Sequence, residues 1–401
     1  MKHDVYVTGL GVVSPIGSGI GLFWENLLAG RHAFHRVSSF DTDQYPHHIG
    51  SEIRNYVLSD CISKAEKKIF GRATSFAIDA AYQAIADANF GDMHDLLRHR
   101  FGVVVGTTFG EAQIIESAVR NQHQQKRIPR NIKQYSPNSL SVNLAKKFKL
   151  RGPNFVVPTA CAAGNYAVGY GAYLISIGAA DLMLVGGADP FSHVSFSGFS
   201  RLGVMATSVC QPFDKNRKGM IVGEGAGMLI LERGDIARQR NAKKYAKIMA
   251  CGYSCDATHM TIPDSDGVKA MMVNALNEAG VTINDVDYIC AHGTGTHMND
   301  KTESGAIRQL FYDNSLPVPV SSIKSVLGHT MGAASAIEAI ACCLAIKDQV
   351  IPPTINFEAK DPNCDIDCVP NIPRKKKLRM VLNNALAFGG NNASLLIGEI
   401  S

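Results

Sequence analysis

Between Gly152 and Ala180 the chain carries no formal charge, and this run constrains the fold more than any other feature. It is long enough to cross a bilayer, but Pro153, Asn154, Pro158 and Asn165 interrupt it. Phe155–Val157 predicts a strand that breaks at Pro158, and a helix of small and apolar residues starts about one turn later. A helix that is apolar all round is buried on every side, so this one belongs inside a layered protein rather than in a membrane. Cys161 stands at the head of that helix. There the backbone N–H groups lack partners and the helix dipole is positive, conditions that favour thiolate over thiol. Free cysteine is also among the most buried residue types. Taken alone, the segment allows either a nucleophile or a structural thiol.

The rest of the composition narrows the class. With 401 residues, 46% hydrophobic and 19% charged, the chain is globular and can hold one large domain or two ordinary ones. Forty basic against 35 acidic residues give a net charge of +5, too small and too dispersed to point to nucleic acid. The N-terminus reads as strand and turn rather than signal peptide, so the ten cysteines are expected as reduced thiols in a cytoplasmic setting. Two C-x3-C pairs, Cys251/Cys255 and Cys364/Cys368, have a spacing atypical of zinc sites and no accompanying paired histidines. No metal site is expected.

Strand-like runs (Val5–Thr8, Gly102–Val105, Phe155–Val157, Leu182–Val185, Gly227–Leu231, Tyr245–Cys251, Tyr288–Cys290, Val318–Ser321, Met380–Ala385, Ser394–Ile397) alternate with helical ones. The helical runs are Ala73–Asn89, Ala162–Gly178, Lys269–Ala279, Lys301–Phe311 and Ala333–Lys347. This alternation predicts an α/β protein of stacked sheets with right-handed crossovers. A faint duplication accompanies it: GHTMGAASAIEAIACCLA places His329 at the head of a small-residue helix, as Cys161 heads the earlier one. Two similar halves, 1–242 and 243–401, would bring the two helix heads to one site. Gln122 to Lys149 reads as an exposed basic excursion, and PRKKKLR from Pro373 as a solvated connection. The glycine-rich strings at Gly9 and Gly223 fail as dinucleotide or phosphate loops, the first ending in Ser14 and the second preceding a strand.

Two further segments bear on Cys161. In CAHGTGTHMND a strand ends at Cys290 and His292 follows in a glycine-rich turn; in SSIKSVLGHTMGAAS, Lys324 and His329 stand on a loop entering a helix. Each histidine alone is compatible with a satisfied loop residue. Three reactive residues on loops at strand ends make a site.

On these residues the chain resembles the β-ketoacyl-[acyl-carrier-protein] synthases, in the elongating Cys-His-His branch of the condensing enzymes. The matching strings are TAC at Thr159–Cys161, GGAD at Gly186–Asp189, PFDKNRKGMIVGEGAGMLILE at Pro212–Glu232, AHGTGT at Ala291–Thr296, KSVLGH at Lys324–His329 and AFGGNNASL at Ala387–Leu395. They lie in the family's order and span nearly the whole chain.

The resemblance implies a thiolase-like five-layered αβαβα fold built from two similar halves. It also implies a homodimer, or a heterodimer with a related subunit. Cys161 would carry the acyl chain as a thioester. His292 and His329 would donate hydrogen bonds to the enolate left when a malonyl thioester loses CO2, and the N–H groups of Cys161 and Phe388 would hold the later oxyanion. Lys324 and Glu338 would fix the histidine loop and tune the field around Cys161; for Glu338 a purely structural ion pair is the other reading. Thr294 and Thr296 would hold the phosphopantetheine arm, which arrives on the carrier protein, so no cofactor of the enzyme's own is implied. Phe388 beside Gly389 resembles the family's gate at the acyl pocket, with Phe199 lining it. Lys64, Lys67, Lys68, Arg72, Lys126, Arg127, Arg130 and Arg201 would meet an acidic acyl carrier protein; solvated surface is the other reading.

Among the alternatives, a non-catalytic chain-length partner typically lacks the nucleophile that is present here. A thiolase would need a second cysteine near the C-terminus, where none follows Cys368. An initiating synthase would not have histidine at 329. The chain is slightly short around Glu111 to Lys149, and its motifs read nearer to specialised-metabolite ketosynthases than to housekeeping ones. The expected product is therefore a 3-oxoacyl chain of either fatty-acid or polyketide biosynthesis.

Overall fold

The computed structural model describes residues 3–57, 59–90 and 95–400. Its ten principal strands are β1 (Val5–Ser14), β2 (Phe101–Gly106), β3 (Asn154–Val157), β4 (Leu182–Asp189), β5 (Gly225–Arg233), β6 (Ala246–Cys255), β7 (Tyr288–Cys290), β8 (Val320–Ser321), β9 (Met380–Leu386) and β10 (Asn391–Gly398). They join into one sheet in the order β8-β7-β9-β10-β6-β1-β5-β4-β2-β3. The duplication is exact in its pairing pattern. β1, β5, β4, β2 and β3 are linked antiparallel, antiparallel, parallel, parallel. The series β6, β10, β9, β7, β8 repeats that sequence of links. The two half-sheets join at β1 and β6, where Tyr6 pairs with Lys247 and Val7 with Ala246.

Seven helices complete the layers: α1 (Arg72–Ala88), α2 (Asn138–Phe148), α3 (Ala163–Ser176), α4 (His193–Arg201), α5 (Ser265–Ala279), α6 (His297–Leu310) and α7 (Ala334–Asp348). α1 and α2 cover the first half-sheet from outside, and α5, with α6 packed on it, covers the second. α3 and α7 touch strands of both half-sheets and each other, which makes them the central layer of an αβαβα stack. Their composition follows from that place. Every residue of α7 from Ala334 to Ile346 is buried, and α3 is built from alanine and glycine where the two helices meet. A Cβ on Gly164 would lie 2.4 Å from the backbone nitrogen of Ala336, so only glycine permits this contact.

Several sequence expectations need correction. Several strands, such as Val5–Ser14 and Ala246–Cys255, run longer than their hydrophobic cores suggested because their polar or glycine ends still pair, whereas Tyr288–Cys290 has the expected bounds and Val320–Ser321 is shorter than the expected Val318–Ser321. Gln122 to Lys149 is not all exposed excursion: Asn138–Phe148 is a helix whose Leu140 and Leu144 are fully buried. The basic residues on its outer face concealed its apolar stripe. α4 and the helix Ala112–His123 also went unread, since neither has a long apolar run. Within PRKKKLR, Arg374 and Lys375 pair with Val350 and Ile351 as a short ribbon, and Arg374 bonds Asp367. All ten cysteines are free thiols. Among the described residues no helix is long and apolar enough to cross a membrane, and no group of three or more His, Cys, Asp or Glu could hold a metal ion.

Candidate active site

Both helix heads lie where parallel strands end, as the duplication predicts. After β3 the chain makes a single 3-10 turn, Ala160–Ala162, and enters α3; after β8 and a short helix at Lys324–Leu327 it makes another, Met331–Ala333, and enters α7. Each turn starts with a residue in the left-handed region, Ala160 at φ 48° and Met331 at φ 56°. The backbone of His329 is held on both sides: its N–H donates to the Ile221 carbonyl (2.7 Å) and its carbonyl accepts from Gly223 (2.8 Å).

One cavity of about 250 Å³ joins Cys161, His292 and His329, and its wall also includes Thr294, Thr296, Phe199 and Phe388. The imidazole rings of His292 and His329 meet edge-on, with centroids 5.3 Å apart. Nδ1 of His329 accepts from the Met331 N–H (3.2 Å), so the neutral ring carries its proton on Nε2 and is a donor there. Nδ1 of His292 is buried with no hydrogen-bond partner among the described residues. The backbone of His292 is fixed by Glu303, whose carboxylate accepts from the N–H groups of His292 and Gly293, both at 2.8 Å. Thr294 Oγ1 and Thr296 Oγ1 lie 2.9 Å apart.

Lys324 and Glu338 are each only 1% exposed, and their side chains form a salt bridge. Neither belongs to the cavity wall; they stand behind it. Burial holds both histidines well below the usual imidazole range, and the Lys324 charge lowers them further. Burial pushes Glu338 up, opposed by Lys324. Cys161 departs from expectation: desolvation raises its thiol to about 12, against the lowering effect of Lys324 and of its own backbone N–H. The Cys161 backbone N–H acts in the direction expected at a helix head, yet in a site this dry burial outweighs it.

The remaining expected residues divide. Gly389 is not on the cavity wall, although Gly390 is. Gly389 and Gly390 lie at φ 87° and 78°, and the turn they form is stapled to the segment after β6 by Gly389 N–H to Met260 O (2.7 Å) and Asp256 N–H to Gly390 O (3.0 Å). Of the basic residues, Lys64, Lys67, Lys68, Lys126, Arg127, Arg130 and Arg201 are exposed. Arg72 is not free for a partner: it forms a bidentate pair with Glu224 (2.6 and 2.7 Å), donates to Ile53 O and stacks on Phe76. None of the eight lines the cavity, but Arg201 precedes Leu202, which does. Sequence reading missed Lys218 and the segment Asp256–Pro263, which supply much of the wall. Lys218 lies inside the family string Pro212–Glu232 but was not singled out, and the only signal of Asp256–Pro263 was position, after the C-terminal end of a strand.

Comparison with known proteins agrees with this geometry. Residues 2–237 match the model for the beta-ketoacyl synthase N-terminal domain and residues 245–358 that for the C-terminal domain. The chain is 36% identical to 3-oxoacyl-[acyl-carrier-protein] synthase 2 of Staphylococcus aureus (strain N315), over 98% of this chain and 97% of that protein. Among solved structures it is similar to the ishigamide ketosynthase/chain length factor, with a TM-score of 0.94, 40% identity and full coverage of both chains. It is also similar to AntDE:AntF, a type II PKS acyl-carrier protein in complex with its ketosynthase bound to the hexaketide, with a TM-score of 0.91, 30% identity and full coverage of both. The chain belongs to the beta-ketoacyl synthase family and has its thiolase-like fold. It is a condensing enzyme of the acyltransferase class, of the kind used in fatty-acid or polyketide biosynthesis.

Proposed function

We propose that the protein elongates an acyl chain by decarboxylative Claisen condensation with malonyl-acyl carrier protein, releasing 3-oxoacyl-carrier protein and CO2. The observation that carries this is one desolvated cavity holding a thiol and two neutral imidazoles, with a compensated ion pair behind it. Cys161 Sγ attacks the acyl thioester and the carrier's pantetheine thiol leaves. A thiol held near 12 sheds its proton only as it attacks, and the departing pantetheine sulfur, which leaves as a thiol, takes it up. In the second half the malonyl carboxylate departs as CO2, and the enolate oxygen is met by His292 and by Nε2–H of His329. The enolate carbon then attacks the Cys161 thioester, the oxyanion lies against the N–H groups of Cys161 and Phe388, and the sulfur leaves as a thiolate that takes a proton from solvent to restore the thiol.

Thr294 and Thr296 bind the phosphopantetheine arm, and the enzyme itself needs no resident cofactor. The acidic carrier protein approaches over Arg201 and Lys218, with the exposed apolar residues Leu202, Met260, Ile262 and Met298 around it. The halves divide at 1–242 and 243–401, with the nucleophile on the first and both histidines on the second, and the enzyme works in the cytoplasm. A more specific reading is a ketosynthase subunit paired with a chain-length partner in a specialised-metabolite system. Its support is the 40% identity to the ishigamide ketosynthase/chain length factor structure, above the 36% to the Staphylococcus synthase. Cys161, His292, Lys324 and His329 together argue against this chain being the non-catalytic partner.

Acyl- and malonyl-carrier protein supplied to the purified protein should yield an acyl adduct by intact mass and release CO2. Cys161→Ala should lose the adduct. His292→Ala and His329→Ala should keep acylation while decarboxylation falls by about 100- to 1,000-fold. An adduct that survives in Cys161→Ala, or equal decarboxylation in the histidine variants, overturns the mechanism.

A further inference from the structure

The GGAD string ends on Asp189, which the reaction above leaves without a task. Asp189 is the last residue of β4 and is fully buried. Among the described residues no cation pairs with it; four donors do. Oδ1 accepts from Thr107 Oγ1 and from the Phe109 N–H, both at 2.8 Å, and Oδ2 from the N–H groups of Thr108 and Gly332, both at 2.7 Å. An acceptor-only carboxylate suits this set, whereas an amide would present an N–H to a donor.

Both groups of donors reach the active site. Gly332 belongs to the turn after His329 and directly follows Met331, whose N–H holds His329 Nδ1. That turn is also short of room, since a Cβ on Gly332 would lie 2.6 Å from Asp189 Oδ2 and 2.7 Å from Thr107 Cα. On the other side, the ring of Phe109 packs edge-on against Phe199 at 6.4 Å, and Phe199 lies 6.1 Å from Phe388. Phe199 and Phe388 line the cavity with Cys161.

We propose that Asp189 is a positioning residue that acts through His329: it ties the histidine turn to the aromatic wall of the acyl pocket, so that pocket and imidazole are held in one register. The inference rests on the assignment of decarboxylation to His329, but its primary readout does not. In protein labelled with 15N-histidine, wild type should show His329 as the Nε2–H tautomer. Asp189→Asn, which sets an amide N–H against one pair of donors, should release the Gly332 N–H and shift that resonance toward a tautomer mixture. In the same variant malonyl-thioester decarboxylation should fall about 10- to 100-fold while the extent of Cys161 acylation changes by less than about threefold. Asp189→Glu should not restore it, because the longer side chain has no room beside Gly332. Thr107→Val removes one donor and leaves the carboxylate, and should move both readouts the same way by a smaller factor; it decides the matter if Asp189→Asn does not fold.

Unchanged His329 resonances in the folded variants overturn the proposal, as does a parallel loss of acylation and decarboxylation. If wild type acylates but never decarboxylates a malonyl thioester, the proposed function fails while the tautomer measurement still tests Asp189.

Discussion

The turn that carries Cys161 and the turn that follows His329 have nearly the same backbone and opposite contents. Thr159-Ala160-Cys161-Ala162 and Thr330-Met331-Gly332-Ala333 each place a left-handed residue first, close one 3-10 turn and open a buried helix. Where one turn bears a thiol the other bears glycine, and where one is preceded by Pro158 the other is preceded by a histidine. Their anchors differ as well. The cysteine turn accepts a bond from Ser335 Oγ at the Cys161 carbonyl (3.4 Å), whereas the histidine turn is tied to Asp189 and lies between the two helices that the buried Lys324–Glu338 pair joins. A duplicated scaffold thus supplies two equivalent platforms, and specialisation lies in which atoms stand on each and what each is tied to.

The largest effect that would break this comparison is removal of the ion pair. Lys324→Met strands a buried carboxylate and should cost about 3–5 kcal/mol in denaturant unfolding, whereas Lys324→Met combined with Glu338→Leu should recover most of that stability. A single variant as stable as wild type would mean the histidine turn does not depend on the pair.

An intermediate effect is in pH. The unfolded chain protonates His292 and His329 below 6.5 while the folded chain resists, so stability is complete above 6.5 and is lost as pH falls below it. Cys161 works at the other end: its unfolded value of 9.0 and folded value of about 12 make stability fall as pH rises between them. Denaturation midpoints measured across pH should therefore decline on both flanks, and His329→Asn should make the acid flank shallower. An acid flank unchanged in both His292→Asn and His329→Asn would contradict the assignment.

The last comparison concerns the left-handed residues, and the smallest effect of all is at Ala160. Ala160→Gly relieves strain and should raise stability by up to about 1 kcal/mol. Met331→Gly relieves similar strain but empties a fully buried side chain, and should lose about 2–5 kcal/mol. Thermal unfolding of the pair separates backbone strain from packing at matched positions.

How much of this was legible in the chain depended on whether the signal was local. The uncharged run around α3, the strands and both helix heads could be read because apolar runs and glycine breaks mark them directly. The pairing pattern that proves the duplication could not, since it involves residues such as Val5 and Arg233 far apart in sequence. Cys161 was located correctly, but its proton affinity was misjudged, because desolvation depends on every neighbour and the helix dipole on only one turn. Arg72 looked like its basic neighbours until Glu224, far along the chain, claimed it. Phe388 stood in a recognisable string, whereas Asp256–Pro263 had no distinctive chemistry and is defined by what it faces.

The Lys324–Glu338 pair has one more consequence. A neutral thiol and two neutral imidazoles put no formal charge on the deep wall of the cavity, and the one cation behind it, Lys324, is already engaged by Glu338. Under the proposed reaction, a malonyl group brings a carboxylate against that wall, and it meets no unclaimed cation on the deep side. Stranded in a medium that solvates it poorly, the carboxylate lowers its energy by leaving as a gas without charge. The negative charge then passes to an oxygen within reach of donors already aimed at it. An enzyme that neutralised its substrate's carboxylate would hold it more tightly and release CO2 more slowly; here the lack of a free cation on the deep wall is itself the drive toward bond breaking.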